Sequence, residues 1–199
     1  MKPQIFVIHG GHATNSYEEY LAYLKTKEVT LDRLVSKDWK SFLPIKLGDA
    51  FDVYNPRMPN SMNARYLEWK IYFEKLVPFM LPEVILIGHS LSGIFLAKYL
   101  SEETLPVKVR ATFLVAAPFI RPELAKLADF DLPLSLQKFA EQGGRIFIYH
   151  SKDDQVVPVV CGEMFHRELS GSQLFLFEDR GHFTMEEFAE LENDIRGLV

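Results

Sequence analysis

Six short apolar runs, separated by longer amphipathic stretches, constrain the fold more than any other feature of the sequence. The runs are rich in Val, Ile and Phe. They are apolar throughout rather than alternating, which is typical of strands buried on both faces of a sheet. They cover residues 5–9, 51–54, 84–88, 111–116, 145–150 and 173–177.

Amphipathic stretches with helical spacing of their apolar residues lie between these runs. Because strands and helices alternate along the chain, we expect parallel strands joined by crossovers, with helices on both faces of the sheet. The sequence therefore predicts the α/β class, as a three-layer sandwich around a mostly parallel sheet of about six strands. The predicted helices cover residues 17–27, 63–79, 93–102, 134–142, 159–169 and 184–196.

Two segments interrupt this alternation within the single domain that we expect over residues 1–199. A long first crossover, at about residues 13–50, carries a second helical pattern around residues 31–39, and an irregular segment covers about residues 119–132. Because ligands of parallel sheets bind beyond the carboxyl ends of the strands, we expect both segments to border a pocket. The second segment is predicted as a short apolar lid, with core packing as the alternative for Phe119, Ile120, Leu124, Leu127 and Phe130.

Charge and residue content argue against several classes of function. The net charge is −5 and the 22 Lys and Arg residues form no basic run, so neither nucleic acid nor a membrane surface is an expected partner. A single cysteine, Cys161, excludes an intramolecular disulfide. His9 and His12 lack a third ligand at metal-binding spacing, so we predict no metal or other cofactor. With no signal-peptide pattern and no apolar run near the roughly 20 residues of a membrane span, we expect a cytoplasmic protein.

The sequence Gly88-His89-Ser90-Leu91-Ser92 joins a predicted strand to a predicted helix and is close to the nucleophile-elbow pattern G-x-S-x-G. In that pattern a strained turn exposes the serine Oγ, and the N–H of the next residue faces an oxyanion. Here Ser92 replaces the last glycine, and Gly93 follows it. The alternatives are a plain turn and a phosphate-binding loop, but Ile94 and Phe95 stand where that loop needs Lys and then Ser or Thr.

A serine nucleophile needs a histidine as its base, and in enzymes with this elbow the order along the chain is Ser, acid, His. Of the three histidines downstream of Ser90, His150 ends a predicted strand and His166 lies within a predicted helix. Only His182 lies on a glycine-containing loop between the last predicted strand and the last predicted helix. We therefore predict that His182 is the base.

The acid and a second oxyanion donor are expected on other loops at the same edge of the sheet. Two adjacent carboxylates, Asp153 and Asp154, follow the fifth predicted strand, and both remain candidates to orient His182. The loop after the first strand carries Gly10 and Gly11, whose N–H groups can approach a substrate without a Cβ in the way. A plain glycine turn is the alternative for this loop.

Together these motifs resemble the α/β-hydrolases, and more narrowly the small single-domain serine hydrolases grouped with retinoblastoma-binding protein nine. The matching segments keep the family's order over nearly the whole chain. They are FVIHGG, PRMPNSMNARYLEWKIYFEKL, GHSLSG, SKDDQVVP and DRGHF. The sequence departs from the family pattern at two places. The stretch at about residues 13–37 is longer than the family's first crossover, and Ser92 replaces a glycine.

The resemblance implies a minimal α/β-hydrolase fold with Ser90 as nucleophile, Asp154 as acid and His182 as base. Asp154 is favoured over its neighbour because the sequence QVVP follows it, as in the family. The resemblance further implies that the backbone N–H groups of Leu91 and Gly11 bind the oxyanion.

The implied function is that of a carboxylesterase-like serine hydrolase, which cleaves a small or medium ester, or an amide or thioester, through an acyl-enzyme. The expected partner is thus a small-molecule substrate. The alternative is a protein-interaction module on a hydrolase fold with weak or no catalysis. Its basis is the sequence VVCGE at residues 159–163, which loosely resembles the L-x-C-x-E motif that binds the retinoblastoma pocket.

Overall fold

The computed structural model describes residues 2–35, 37–121 and 127–199. Within these residues, six strands form one sheet in which all neighbours are parallel. The strands are β1 (Gln4–Ile8), β2 (Asp52–Tyr54), β3 (Glu83–His89), β4 (Lys108–Val115), β5 (Arg145–Ser151) and β6 (Gln173–Phe177). Their order across the sheet is β2-β1-β3-β4-β5-β6, which confirms the predicted parallel α/β class.

Helices cover both faces of this sheet, which confirms the three-layer sandwich. The apolar core on one face includes side chains from α4 to α7, and the core on the other face includes side chains from α3 and α8. The helices are α1 (Tyr17–Thr26), α2 (Leu31–Val35), α3 (Trp39–Leu47), α4 (Tyr66–Leu76), α5 (Leu91–Glu102), α6 (Gln137–Gln142), α7 (Val160–Glu168) and α8 (Ala189–Arg196).

Successive apolar side chains of the central strands enter different cores. In β1, Phe6 and Ile8 belong to the core beneath α4 and α5, whereas Ile5 and Val7 belong to the core beneath α3 and α8. All five residues of β1 are buried. This is the burial that the uniform apolar runs predicted.

The first crossover holds three helices, α1, α2 and α3, and its helical pattern was only partly predicted. The pattern at residues 31–39 splits, because α2 ends at Val35 and α3 begins at Trp39. Asp38 explains the second start, since its carboxylate accepts a hydrogen bond from the N–H of Lys40, 3.1 Å away, and caps α3. No residue of α1 is buried.

Three other helices begin three or more residues later than predicted, and the first of them is α4, which begins at Tyr66 instead of residue 63. The stretch at residues 134–142 becomes helical only at Gln137, whose N–H contacts the Ser135 hydroxyl at 3.2 Å. The stretch at residues 184–196 becomes helical only at Ala189. The chain before it forms a turn and a bend, where the carbonyl of Met185 accepts a hydrogen bond from the N–H of Trp39 on α3, 2.8 Å away.

The parallel arrangement brings the loops that carry the predicted site residues to one edge of the sheet. Ser90 directly follows β3, Asp154 follows β5, and His182 follows β6. Gly11 follows β1, which lies next to β3. Within the described residues, no helix is long and apolar enough to cross a membrane.

Candidate active site

Ser90 occupies a strained turn between β3 and α5. Its backbone has φ 59° and ψ −125°, a left-handed conformation that costs a residue with a side chain about 1–3 kcal/mol. Backbone hydrogen bonds hold the turn, because the N–H of Ser90 donates to Val115 and its carbonyl accepts from Gly93, each at 2.8 Å. The turn presents the hydroxyl at the start of a helix, as the elbow pattern predicts.

Close packing around this turn explains the two glycines that flank it. A Cβ on Gly88 would lie 2.6 Å from the carbonyl oxygen of Ser92, and a Cβ on Gly93 would lie 2.4 Å from the Cβ of Ala117. Position 92 has room for a side chain, and the Ser92 hydroxyl uses it to donate to the carbonyl of Ile8, 2.6 Å away. The Ser92 hydroxyl therefore links α5 to β1 through a hydrogen bond.

The structure brings Ser90, His182 and Asp154 together in one hydrogen-bonded chain. The Ser90 hydroxyl donates to Nε2 of His182 across 2.9 Å. Nδ1 of His182 donates to Oδ2 of Asp154, also across 2.9 Å. The Asp154 side chain has no exposed surface, whereas the His182 side chain is 16% exposed. This geometry allows the imidazole to take a proton from the serine while the carboxylate fixes its tautomer.

Asp154 is buried but ionised. Burial opposes its charge, but hydrogen bonds from His182 and from the N–H groups of Val157 and Val156 outweigh burial and lower the pKa of Asp154 below its usual value. These two N–H groups lie 2.9 and 2.8 Å from Oδ1. The carboxylate is thus held in one orientation, with Oδ2 left for the imidazole.

Asp153 contacts the backbone of the loop that carries His182. We call residues 178–188 the histidine loop. Oδ1 of Asp153 accepts hydrogen bonds from the Ser151 hydroxyl at 2.5 Å and from the N–H of Gly181 at 2.8 Å. The two adjacent carboxylates therefore differ, since Asp154 contacts the imidazole and Asp153 contacts the backbone beside it.

Helix α3 holds the histidine loop from the other side. The indole N–H of Trp39 donates to the carbonyl of Phe183 across 3.0 Å. Nε2 of His89 donates to the carbonyl of His182 across 2.9 Å. Nδ1 of the same imidazole accepts from the Lys40 ammonium, 3.1 Å away. Lys40 thereby fixes the tautomer of His89 that contacts the histidine loop.

These buried groups are electrostatically unusual. Burial, the charge of Lys40 and the nearby His182 together hold the pKa of His89 well below its ordinary value, so His89 is neutral. Burial also lowers the pKa of Lys40, although its ion pair with Asp38 opposes this shift. The sequence analysis did not identify Lys40 or Trp39. Lys40 contacts His89, 49 residues further along the chain, and Trp39 contacts Phe183, 144 residues further along. The capping pattern at Asp38 was the only local signal for this helix.

The glycine loop after β1 lies against the serine. A Cβ on Gly10 would lie 3.1 Å from the Cβ of Ser90, and a Cβ on Gly11 would lie 2.8 Å from the carbonyl of Ser61. Position 11 therefore requires glycine, and a Cβ at position 10 would crowd the Ser90 side chain. Gly11 and Leu91 line the same cavity as Ser90, and their N–H groups remain the predicted oxyanion donors.

The other histidines have structural contacts. Nε2 of His9 accepts from the N–H of Met58 at 2.9 Å, and His12 stacks on Tyr23 with ring centroids 3.7 Å apart. His150 donates to the carbonyl of Val157 at 2.9 Å. Within the described residues, no cluster of three or more His, Cys, Asp or Glu side chains is arranged to bind a metal ion.

His166 and the sequence VVCGE lie on α7 or directly before it. Nδ1 of His166 is 2.9 Å from the Ser172 hydroxyl. The sequence VVCGE enters α7 at Val160, and Cys161 is only 7% exposed. An extended, exposed peptide is therefore absent at residues 159–163, all of which the structure describes.

A cavity of about 310 Å³ opens beside Ser90. Ile120 and Leu127, from the segment predicted as a lid, line it. Phe119 and Phe130 of the same segment are buried in the core, as the core-packing alternative expected. Leu124 lies outside the described residues.

Comparison with known families identifies one match. The family model described as "Serine hydrolase" matches residues 35–196, most of the chain. The matched region includes the turn at Ser90, the loop with Asp154 and the histidine loop. It excludes β1 and its glycine loop, as well as α1. No curated protein matches the chain.

Solved structures share the fold at low sequence identity. The ydeN gene product from B. subtilis superposes with a TM-score of 0.78 at 20% identity, over 99% of this chain and 98% of that one. A meta-cleavage product hydrolase from Pseudomonas fluorescens IP01 has a TM-score of 0.67 at 15% identity, over 98% and 90% of the two chains. The methylesterase MES16 from Arabidopsis has a TM-score of 0.60 at 14% identity, over 99% and 98%. These similarities establish the α/β-hydrolase fold.

Proposed function

Because the chain belongs to the serine hydrolase family, we propose that it hydrolyses small or medium carboxylic esters through a covalent acyl-enzyme. The observation that carries this proposal is the hydrogen-bonded chain from Ser90 through His182 to the buried carboxylate of Asp154. A serine hydroxyl is a weak nucleophile unless a base accepts its proton, and this arrangement supplies that base. The methylesterase with the same fold supports an ester as the substrate class.

In the proposed acylation, Ser90 Oγ attacks the carbonyl carbon of the ester and transfers its proton to Nε2 of His182. The oxyanion is stabilised by the N–H groups of Leu91 and Gly11. The bond from the carbonyl carbon to the alcohol oxygen then breaks, and His182 gives its proton to the departing alcohol. Asp154 stays ionised throughout and stabilises the imidazolium.

In the proposed deacylation, water attacks the acyl-enzyme while His182 accepts one of its protons. The bond to Ser90 Oγ breaks, the proton returns to that oxygen, and the carboxylic acid leaves. Amide and thioester bonds follow the same steps with a different leaving atom. The chain's own side chains and backbone supply every group that these steps require.

Ester hydrolysis by matched variants tests this function. We expect the wild-type protein to hydrolyse p-nitrophenyl butyrate, and Ser90→Ala and His182→Ala each to lower kcat/KM by at least about 10³-fold. His166→Ala is the control, because His166 lies on α7 and contacts Ser172 instead of the serine nucleophile. Wild-type rates in folded Ser90→Ala would overturn the proposal.

A further inference from the structure

The cavity beside Ser90 has a definite position relative to the reacting groups. Its lining includes Ser90 together with Leu91 and Gly11, the two predicted oxyanion donors. Of the described residues that line it, none belongs to the histidine loop. The cavity is therefore bounded by the residues beside the predicted oxyanion donors and not by the described residues of the loop that carries His182, whose Nε2 gives its proton to the leaving group.

This position determines which part of an ester enters the cavity. The tetrahedral carbon on Ser90 carries three other substituents, namely the oxyanion, the leaving oxygen and the acyl chain. The oxyanion points to the N–H groups at Leu91 and Gly11, and the leaving oxygen must lie near His182 to be protonated. The acyl chain is the remaining substituent, and the cavity is the space left for it.

The chemistry of the lining limits which acyl chains fit. Most of the lining residues are apolar, among them Ile120, Leu127, Val157 and Cys161, and among the lining residues that the structure describes none is an acid, a lysine or an arginine. The volume of about 310 Å³ lies at the small end of the range for ligand pockets. Resting on the function proposed above, we propose that this cavity is an acyl site that selects uncharged, apolar acyl groups of short to medium length.

One wall of the acyl site is built by the two segments that interrupt the strand and helix alternation. His12 lines the cavity and stacks on Tyr23 of α1. Leu127 also lines it, and the N–H of the next residue, Ala128, donates to the side-chain oxygen of Asn15 across 3.0 Å. The first crossover and the segment after β4 therefore meet at this wall.

This wall lies largely outside the region that defines the family. Residues 12–23 precede the matched range, which begins at residue 35. Burial and the charge of Lys27 lower the pKa of His12, so this residue adds no positive charge to the wall near neutral pH. We therefore assign the limit on acyl length to this wall, with Leu127 as the side chain that sets it.

The sharpest test compares two esters of equal acyl length that differ by one charge. After subtraction of the uncatalysed rates, we expect kcat/KM for p-nitrophenyl butyrate to exceed that for p-nitrophenyl hemisuccinate by at least about tenfold, because the cavity offers no partner to a carboxylate. From acetate to butyrate, kcat/KM is expected to rise about fourfold for each added methylene.

Substitution at Leu127 tests the wall itself. Leu127→Trp should shift the preferred acyl chain to a shorter one, and Leu127→Ala should shift it to a longer one. Because Leu127→Ala only removes atoms, it tests the wall even if Leu127→Trp does not fold. Leu134→Ala is the control, because Leu134 is 77% exposed and does not line the cavity. The control should keep the wild-type profile.

The outcomes separate this inference from the proposed function. If hemisuccinate is hydrolysed as well as butyrate, or if neither Leu127 variant moves the profile, while Ser90→Ala abolishes all activity, the acyl site is wrong and the serine hydrolase stands. If Ser90→Ala hydrolyses these esters at the wild-type rate, the proposed function fails, and the acyl site fails with it.

Discussion

At the scale of single residues, backbone strain coincides with the proposed chemistry. Ser90, Ala116 and Phe183 all have positive φ, at 59°, 47° and 51°. Ser90 follows β3, Ala116 follows β4, and Phe183 lies in the histidine loop after β6. All three are therefore at the carboxyl edge of the sheet. Such conformations persist only where neighbouring structure holds them, and here the backbone hydrogen bonds of Ser90 and Ala116 to adjacent strands do so.

The two adjacent carboxylates give a residue-scale prediction. Asp154→Asn should lower kcat on p-nitrophenyl butyrate by about 10³-fold or more, because an amide no longer fixes the His182 tautomer or stabilises the imidazolium. Asp153→Asn is the matched control. It removes one charge from the same loop but keeps an oxygen acceptor for the N–H of Gly181, so kcat should stay within about threefold of wild type. Equal losses in the two variants would refute the assignment of Asp154 as the acid.

At the scale of elements, α3 and the histidine loop act as one unit. Trp39 donates two hydrogen bonds to this loop, through its indole to Phe183 and through its backbone to Met185. Lys40 acts on the same loop through the imidazole of His89. The long first crossover thus has a second contact besides the wall of the acyl site, since its last helix also hydrogen-bonds the loop that carries the His182 imidazole.

Substitution of Lys40 tests this coupling. Lys40→Met removes the donor that fixes the tautomer of His89, and His89 contacts the carbonyl of His182. We therefore expect kcat to fall about ten- to a hundredfold while KM changes little, as for small misplacements of catalytic groups. Lys40→Arg, which keeps a donor, should recover part of the loss.

Ile45→Ala, on the same helix, is the control, because the Ile45 side chain is 77% exposed. If Lys40→Met keeps the wild-type kcat, α3 has no positioning role.

The sequence predicted the elements best where the signal was local. The uniform apolar runs predicted all the strands of the described sheet, and the elbow, acid and histidine motifs predicted the side chains that meet at Ser90. Helix α3 was missed over most of its length because Pro44 lies inside it and interrupts the helical pattern. The contribution of Lys40 depends on tertiary contacts, which neither spacing nor periodicity encodes.

At the scale of the whole molecule, buried neutral histidines couple stability to pH. The buried His89 lies beside His182, with ring centroids 5.1 Å apart, and Nε2 of the buried His150 lies 4.0 Å from Oδ2 of Asp154. Burial lowers the pKa of both histidines. In the unfolded chain these imidazoles take up protons near pH 6.5, whereas in the folded protein they stay neutral to a lower pH. Their contribution to stability is therefore present above about pH 6.5 and is lost as the pH falls below it.

Chemical denaturation at a series of pH values measures this linkage. Between pH 6 and pH 5, His89, whose pKa lies well below its ordinary value, should lower the free energy of unfolding by up to about 1.4 kcal/mol per pH unit. His89→Gln removes one titrating group, so its slope should be smaller than the wild-type slope by that amount. Identical slopes in the two proteins would show that His89 is not held neutral in the folded state.

The central claim is that the fold activates one serine hydroxyl of the chain, that of Ser90. The most direct measurement is to label the protein with a fluorophosphonate and to locate the adduct by mass spectrometry. We predict one phosphonate per chain, located on Ser90, and its loss in folded His182→Ala with retention in His166→Ala. No labelling of the folded wild-type protein, or an adduct on another residue, would contradict the claim and favour a hydrolase fold used for binding.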